Sequence, residues 1–179
     1  MKLIVLDRDG VINQDSANYI KSPNEWIPIP RSIEAISELT HNGFAVIIAT
    51  NQSGIGRGLY SMDDVNQIHN KMHQLLSETR GRVDSIFICP HVDEDDCDCR
   101  KPKKGLLEQI EDRYQMNLKD CYGIGDSTRD LIAYHHAKMK PILVKTGNGI
   151  STFQEKKYPK GIKIFNDLYE AATFVIKNS

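Results

Sequence analysis

Long apolar runs are missing from this 179-residue chain. No window approaches the ~18 consecutive apolar residues of a membrane span. The run near the start, LIVL from Leu3, stops after four residues. That is too short for the apolar region of a signal peptide, so a cytoplasmic location and no membrane partner are expected. A charge excess of either sign is missing too: 23 Lys and Arg face 24 Asp and Glu. Global charge therefore favours no nucleic-acid partner. Trp26 is the only tryptophan, a poor supply of stacking surface for single strands. Internal repeats, low-complexity tracts and linker-like segments are absent, and the length suits one domain over residues 1–179. A monomer is expected. Cysteine is scarce, at four residues, which are expected to be reduced in that compartment.

What is present is an alternation. LIVL from Leu3, AVIIAT from Ala45, SIFIC from Ser85, CYGIG from Cys121 and PILVK from Pro141 are short runs rich in Ile and Val. They lack period-two alternation, as strands of a parallel sheet covered on both faces do. KIFN from Lys163 reads as a sixth strand, at an edge. Between them lie helical patterns. Ile33, Ile36 and Leu39 are followed by Gly43 as a stop. Ser61 and Asp64 have capping-box spacing ahead of Val65, Ile68, Met72 and Leu75. Leu106, Leu107 and Ile110 mark a third helix, Leu131 to Ala137 a fourth, and Leu168 to Ile176 a last one. The order predicts an α/β fold: a three-layer, doubly wound, Rossmann-like sandwich with a mainly parallel central sheet.

Such sheets bind ligands beyond the carboxyl ends of their strands. There the chain carries chemistry. The first run ends in Asp7, Arg8, Asp9 and Gly10. Residues i and i+2 of an extended segment point the same way, so Asp7 and Asp9 are expected to share a cleft, with Arg8 turned aside. The second run ends in Thr50, Asn51, Gln52 and Ser53, then GIGRG with Arg57; the third leads to Arg100 and Lys101; the fourth to Asp126, Ser127 and Asp130. Carboxylates, a hydroxyl and a lysine at successive strand ends suit phosphoryl transfer with a hard cation. Each also has a plainer reading: a solvated turn for the D-x-D pair, a core hydroxyl for Thr50, a surface charge for Lys101, and a capping box for Ser127 and Asp130.

Cys89, His91, Cys97 and Cys99 fall within one loop. Three thiolates and an imidazole can close a tetrahedral structural zinc site. A Cys97–Cys99 disulfide would be strained. Cys121 reads as core. A clamp on this loop would fix the backbone that delivers Arg100 and Lys101.

The ordered elements DRDGVIN, TNQSGIGRG, RKP and GDSTRD resemble the haloacid-dehalogenase superfamily of aspartate-nucleophile phosphatases. The resemblance implies that Asp7 is the nucleophile, forming an aspartyl-phosphate, and Asp9 the general acid and then base. It implies that Thr50 and Lys101 bind the transferring phosphoryl oxygens. Asp126 would complete a Mg²⁺ site with Asp7 and the backbone carbonyl of Asp9. Two adjacent carboxylates resist joint ionisation, which tends to raise one pKa, and a protonated Asp9 beside a metal-bound, ionised Asp7 would suit acid catalysis. The segments after Asp9 and after the third strand leave no room for a cap domain. The capless plan and the small zinc loop resemble the heptose-bisphosphate phosphatase branch, and secondarily histidinol-phosphatase. A small phosphorylated sugar is the substrate this implies, contacted by Asp15, Asn18, Asn51, Gln52, Ser53 and Ser127. Arg100 would meet its second phosphate, and Arg57 is equally a sugar or phosphate contact or a solvated cation. Tyr60 and Trp26 read as packing residues. A nucleic-acid 3′-phosphatase and a non-catalytic zinc-stapled interaction domain stand as alternatives.

Overall fold

A computed structural model describes residues 1–179. Six parallel strands form one sheet: β1 (Lys2–Leu6), β2 (Phe44–Asn51), β3 (Ser85–Cys89), β4 (Tyr122–Gly125), β5 (Lys140–Val144) and β6 (Lys163–Phe165). Their order is β3-β2-β1-β4-β5-β6. All six expected strands are present, β6 lies at an edge, and the sheet is wholly parallel.

Seven helices accompany it: α1 (Ser32–His41), α2 (Ser53–Gly56), α3 (Met62–Glu78), α4 (Gly105–Tyr114), α5 (Thr128–His136), α6 (Gly149–Glu155) and α7 (Leu168–Lys177). The short α2 and α6 had not been expected. The capping box at Ser61 and Asp64 starts α3. No helix is long and apolar enough to cross a membrane.

The continuous apolar strands have a direct cause. In β1, Ile4 and Leu6 join a core with α1, α3 and α7 through Ile36, Leu39, Ile68 and Val175. Leu3 and Val5 face the opposite core, with Leu106, Ile110, Ala133 and Tyr134 of α4 and α5. Both faces of the strand are buried, so period-two alternation has nothing to report. Trp26 is fully buried in the first core, as expected of a packing residue.

The chain leaves β1 for β2 on one side and later returns to β4 on the other, where Leu6 lies opposite Ile124. This is the topological switch point, where a crevice opens. Residues 10–31, between β1 and α1, stay irregular and pack back on themselves through Gln14–Ile27 and Ile29–Ile12 backbone bonds.

Candidate active site

The segments that follow β1 to β5 surround one cavity of about 260 Å³. Asp7, Asp9, Thr50, Lys101 and Asp126 all line it. Asp7 is held at the strand end by its N–H, which donates to Ile124 O at 2.9 Å. Lys101 is buried to 1 % exposure, and its Nζ lies 2.9 Å from Asp7 Oδ1 and 2.7 Å from Asp130 Oδ1. It also donates to Ala49 O at 2.7 Å. Burial opposes the charge on Lys101, but Asp130 and Asp7 outweigh it and hold its pKa above the ordinary value.

Asp7, Asp126 and Asp130 each bring a carboxylate oxygen within 4.8 Å of the others. Burial, with the charges of Asp130 and Asp9 added, raises Asp7 to about 6 against the pull of Lys101. Burial and the charges of Asp130 and Asp7 likewise push Asp126 well up. One ammonium does not balance three buried acids. Both Asp130 oxygens are engaged, Oδ1 by Lys101 and Oδ2 by Ser127. Asp7 Oδ2 and Asp126 Oδ1 accept no hydrogen bond, whereas Asp126 Oδ2 accepts from the backbone and side chain of Asn148. A hard divalent cation on oxygen ligands fits this set, and Mg²⁺ fits better than a softer metal. Gly10 and Gly147 shape the place, both at positive φ. A Cβ on either would come within 2.1 or 2.3 Å of Asp126 Oδ2.

Asp9 differs from expectation. Arg8 is not turned aside: its buried guanidinium folds back and donates to Asp9 at 2.8–3.0 Å. Asn13 Nδ2 donates to Asp9 Oδ1 at 2.9 Å and Gln52 Nε2 to Oδ2 at 2.8 Å. Burial alone would raise Asp9, but Arg8, Asn13 and Gln52 together leave it lowered. The protein's own groups thus lower Asp9 and raise Asp7, and a cation on Asp7 would pull Asp7 back down. Arg8 Nη1 also donates to His69 Nε2 at 3.2 Å. Burial and Arg8 depress His69 to about 3, which keeps it a neutral acceptor.

The expected substrate contacts divide. Asp15, Ser53, Arg57 and Arg100 line the cavity. Asn51 and Gln52 line it too, but their amides are committed. Asn51 exchanges two hydrogen bonds with the backbone of Lys101, at 3.0 and 3.1 Å. Gln52 bonds Asp9 and Thr50 and accepts from Tyr60. Asn18 and Ser127 are not in the lining. Ser127 caps α5, where its hydroxyl and N–H both donate to Asp130 Oδ2. Arg100 is drawn off by Asp93 and by the carbonyl of His91. Tyr19, Tyr60, Arg129 and Asn148 line the cavity without having been singled out for it. Arg129 sat in the motif GDSTRD, and for Asn148 the available signal was its place between Gly147 and Gly149.

Beside the cavity, the donors of Cys89, His91, Cys97 and Cys99 also gather within 4.8 Å. Their sulfurs lie 3.1–3.7 Å apart, and His91 Nδ1 lies 3.3 Å from Cys99 Sγ. All four cysteines of the chain are free thiols. Three thiols and one ring nitrogen converging on a point are the donor set of a closed zinc site.

Fold and site together define a phosphatase of the haloacid-dehalogenase superfamily. The family model Polynucleotide kinase 3 phosphatase matches residues 2–159. The D-glycero-beta-D-manno-heptose-1,7-bisphosphate 7-phosphatase of Bordetella bronchiseptica is 46% identical over 179 residues, all of both chains. That of Pseudomonas aeruginosa is 47% identical over 175 residues, 98% of each. A crystal structure of the B. bronchiseptica D,D-heptose 1,7-bisphosphate phosphatase, complexed with magnesium and phosphate, superposes over the whole of both chains with a TM-score of 0.98. The chain belongs to the family of the D-glycero-D-manno-heptose 1,7-bisphosphate 7-phosphatases.

Proposed function

We propose that this chain removes the 7-phosphate of D-glycero-D-manno-heptose 1,7-bisphosphate, acting as a single-domain monomer in the cytoplasm. The observation that carries the reading is the gathering of Asp7, Thr50, Lys101 and Asp126 around one cavity. The names of relatives matching over nearly their whole length support the substrate.

Asp7 attacks phosphorus, so an Asp7–phosphorus bond forms as the bond to the sugar oxygen breaks. Asp9 delivers a proton to that leaving oxygen. It then takes one from the water that hydrolyses the aspartyl-phosphate. Asp9 is ionised before substrate arrives, and the incoming phosphate dianion draws a proton onto it by raising its pKa. Thr50 donates its hydroxyl to a phosphoryl oxygen. Lys101 neutralises charge on the same group. Asp7 and Asp126, with the backbone carbonyl of Asp9, would hold Mg²⁺. When bound, that ion offsets the repulsion between carboxylate and phosphate.

The second phosphate is assigned to the exposed guanidiniums of Arg57 and Arg129, which line the cavity and pair with no side chain of the protein. Asp15 and Ser53 border the space for the sugar. Cys89, His91, Cys97 and Cys99 hold Zn²⁺ as a brace for the backbone of Arg100 and Lys101.

The reading is tested by turnover with Mg²⁺ on the α and β heptose bisphosphates, histidinol phosphate and a 3′-phosphorylated oligonucleotide. The heptose bisphosphates are expected to give the highest kcat/KM, and Asp7→Asn to abolish turnover. Preference for the oligonucleotide would overturn the substrate. An active Asp7→Asn enzyme, free of deamidation, would overturn the covalent route.

A further inference from the structure

Gln52 is 2 % exposed, yet it borders the cavity. Its amide is used at every corner. Nε2 donates to Asp9 Oδ2 at 2.8 Å and to Thr50 Oγ1 at 2.9 Å. Oε1 accepts from the Tyr60 hydroxyl at 2.7 Å. An amide can flip, and its two ends have nearly the same shape. Here both ends agree on one orientation. A flipped amide would set its oxygen against the Asp9 carboxylate, and Tyr60 donates to the end that faces away.

Tyr60 is itself fixed. A Cβ at Gly54 would come within 2.0 Å of its ring, so glycine is what lets the ring lie against α2. Tyr19 covers it at 6.4 Å between ring centroids. Burial raises the Tyr60 hydroxyl to about 12, so it stays a donor.

We infer that Gln52, oriented by Tyr60, is a positioning residue that holds Asp9 in register with Thr50 for proton transfer. Arg8 spans both Asp9 oxygens and Asn13 holds Oδ1, while Gln52 adds the shorter contact to Oδ2 and ties the carboxylate to Thr50. The same amide donates to one lone pair of Thr50 Oγ1, so Thr50 acts there as acceptor and its own proton can turn to a phosphoryl oxygen. Neither Gln52 nor Tyr60 exchanges a proton with substrate; they act through Asp9. The inference rests on the role of Asp9 proposed above.

That role gives a readout which a structural defect does not imitate. A sugar alkoxide is a poor leaving group and needs the acid, whereas p-nitrophenolate leaves without it. Tyr60→Phe and Gln52→Met are compared with wild type and Asp9→Asn on the heptose bisphosphate and on p-nitrophenyl phosphate. Each is checked for folding by thermal unfolding. Both variants are expected to lose kcat/KM, which reports the leaving-group step and not the shared hydrolysis of the aspartyl-phosphate, about tenfold more on the sugar than on the aryl ester, with Asp9→Asn losing more in the same direction. Equal losses on the two substrates, or none, with Asp9→Asn still selective, would overturn the positioning role alone. An Asp9→Asn enzyme without selectivity would overturn the acid role itself, and this inference with it.

Discussion

Lys101 and Asp130 meet at 2.7 Å in the protein interior, and the same ammonium lies 2.9 Å from Asp7. Asp130 thereby joins two structures. One oxygen closes the capping box at the start of α5, and the other secures the lysine that faces the nucleophile.

Truncating Asp130 leaves that ammonium buried with one partner fewer. Losing one member of a buried pair costs about 3–5 kcal/mol. Asp130→Ala is expected to lose that much in urea unfolding. Asp130→Asn keeps one acceptor oxygen, enough for Ser127 or Lys101 but not for both, so it is expected to lose less stability than Asp130→Ala while still lowering kcat. Equal stability of Asp130→Ala and wild type would contradict the pairing.

Acid should weaken the fold through His69. Its pKa falls from 6.5 to about 3 on folding, so the unfolded chain takes the proton first. Stability from this group is complete above pH 6.5 and drains away as pH falls toward 3. At pH 5 the loss is about 2 kcal/mol. His69→Gln can still offer Arg8 an acceptor and cannot titrate. Urea midpoints at pH 7.5 and 5 should therefore lie closer together in the variant by about that amount.

Removing zinc should slow the enzyme without touching its magnesium. Metal analysis is expected to return one zinc per chain. A chelated sample at saturating Mg²⁺ should lose roughly tenfold or more in kcat, the scale of a small misplacement of Lys101. Restoring zinc should restore the rate. Full turnover in a verified zinc-free sample would count against the brace.

Charge at the rim should separate a bisphosphate from a monophosphate. Arg129→Ala and Arg57→Ala are expected to raise KM for the bisphosphate, since a charge-assisted hydrogen bond is worth about 1.5–3 kcal/mol. KM for the corresponding 7-monophosphate should hardly move. A parallel change for both substrates would place these arginines elsewhere in the reaction.

The sheet was legible because its strands are apolar on both faces, as Leu3 with Val5 and Ile4 with Leu6 show. The carboxylates were legible because parallel strands deliver their next residues to one edge. The short helices were not. α2 reads Ser-Gly-Ile-Gly, and α6 buries only Gly149 and Thr152, so neither carries an apolar stripe. Arg8 was misjudged because alternation describes where a Cβ starts, and a long side chain can fold back. The internal partners of Gln52 and Asn51 were not legible, because strand-end position brings both to the cavity without revealing which groups their amides find. Asn148 gave only the turn signal of its flanking glycines, and its bond to Asp126 depends on a contact 22 residues away.

Gly10 and Gly147 bear no functional group, yet a single methyl at either would stand where an oxygen of Asp126 belongs. In a saturation scan scored by growth, both should look as intolerant as the acids they border. Such a map would show two silent positions with the profile of catalytic ones, because here emptiness is the inherited trait.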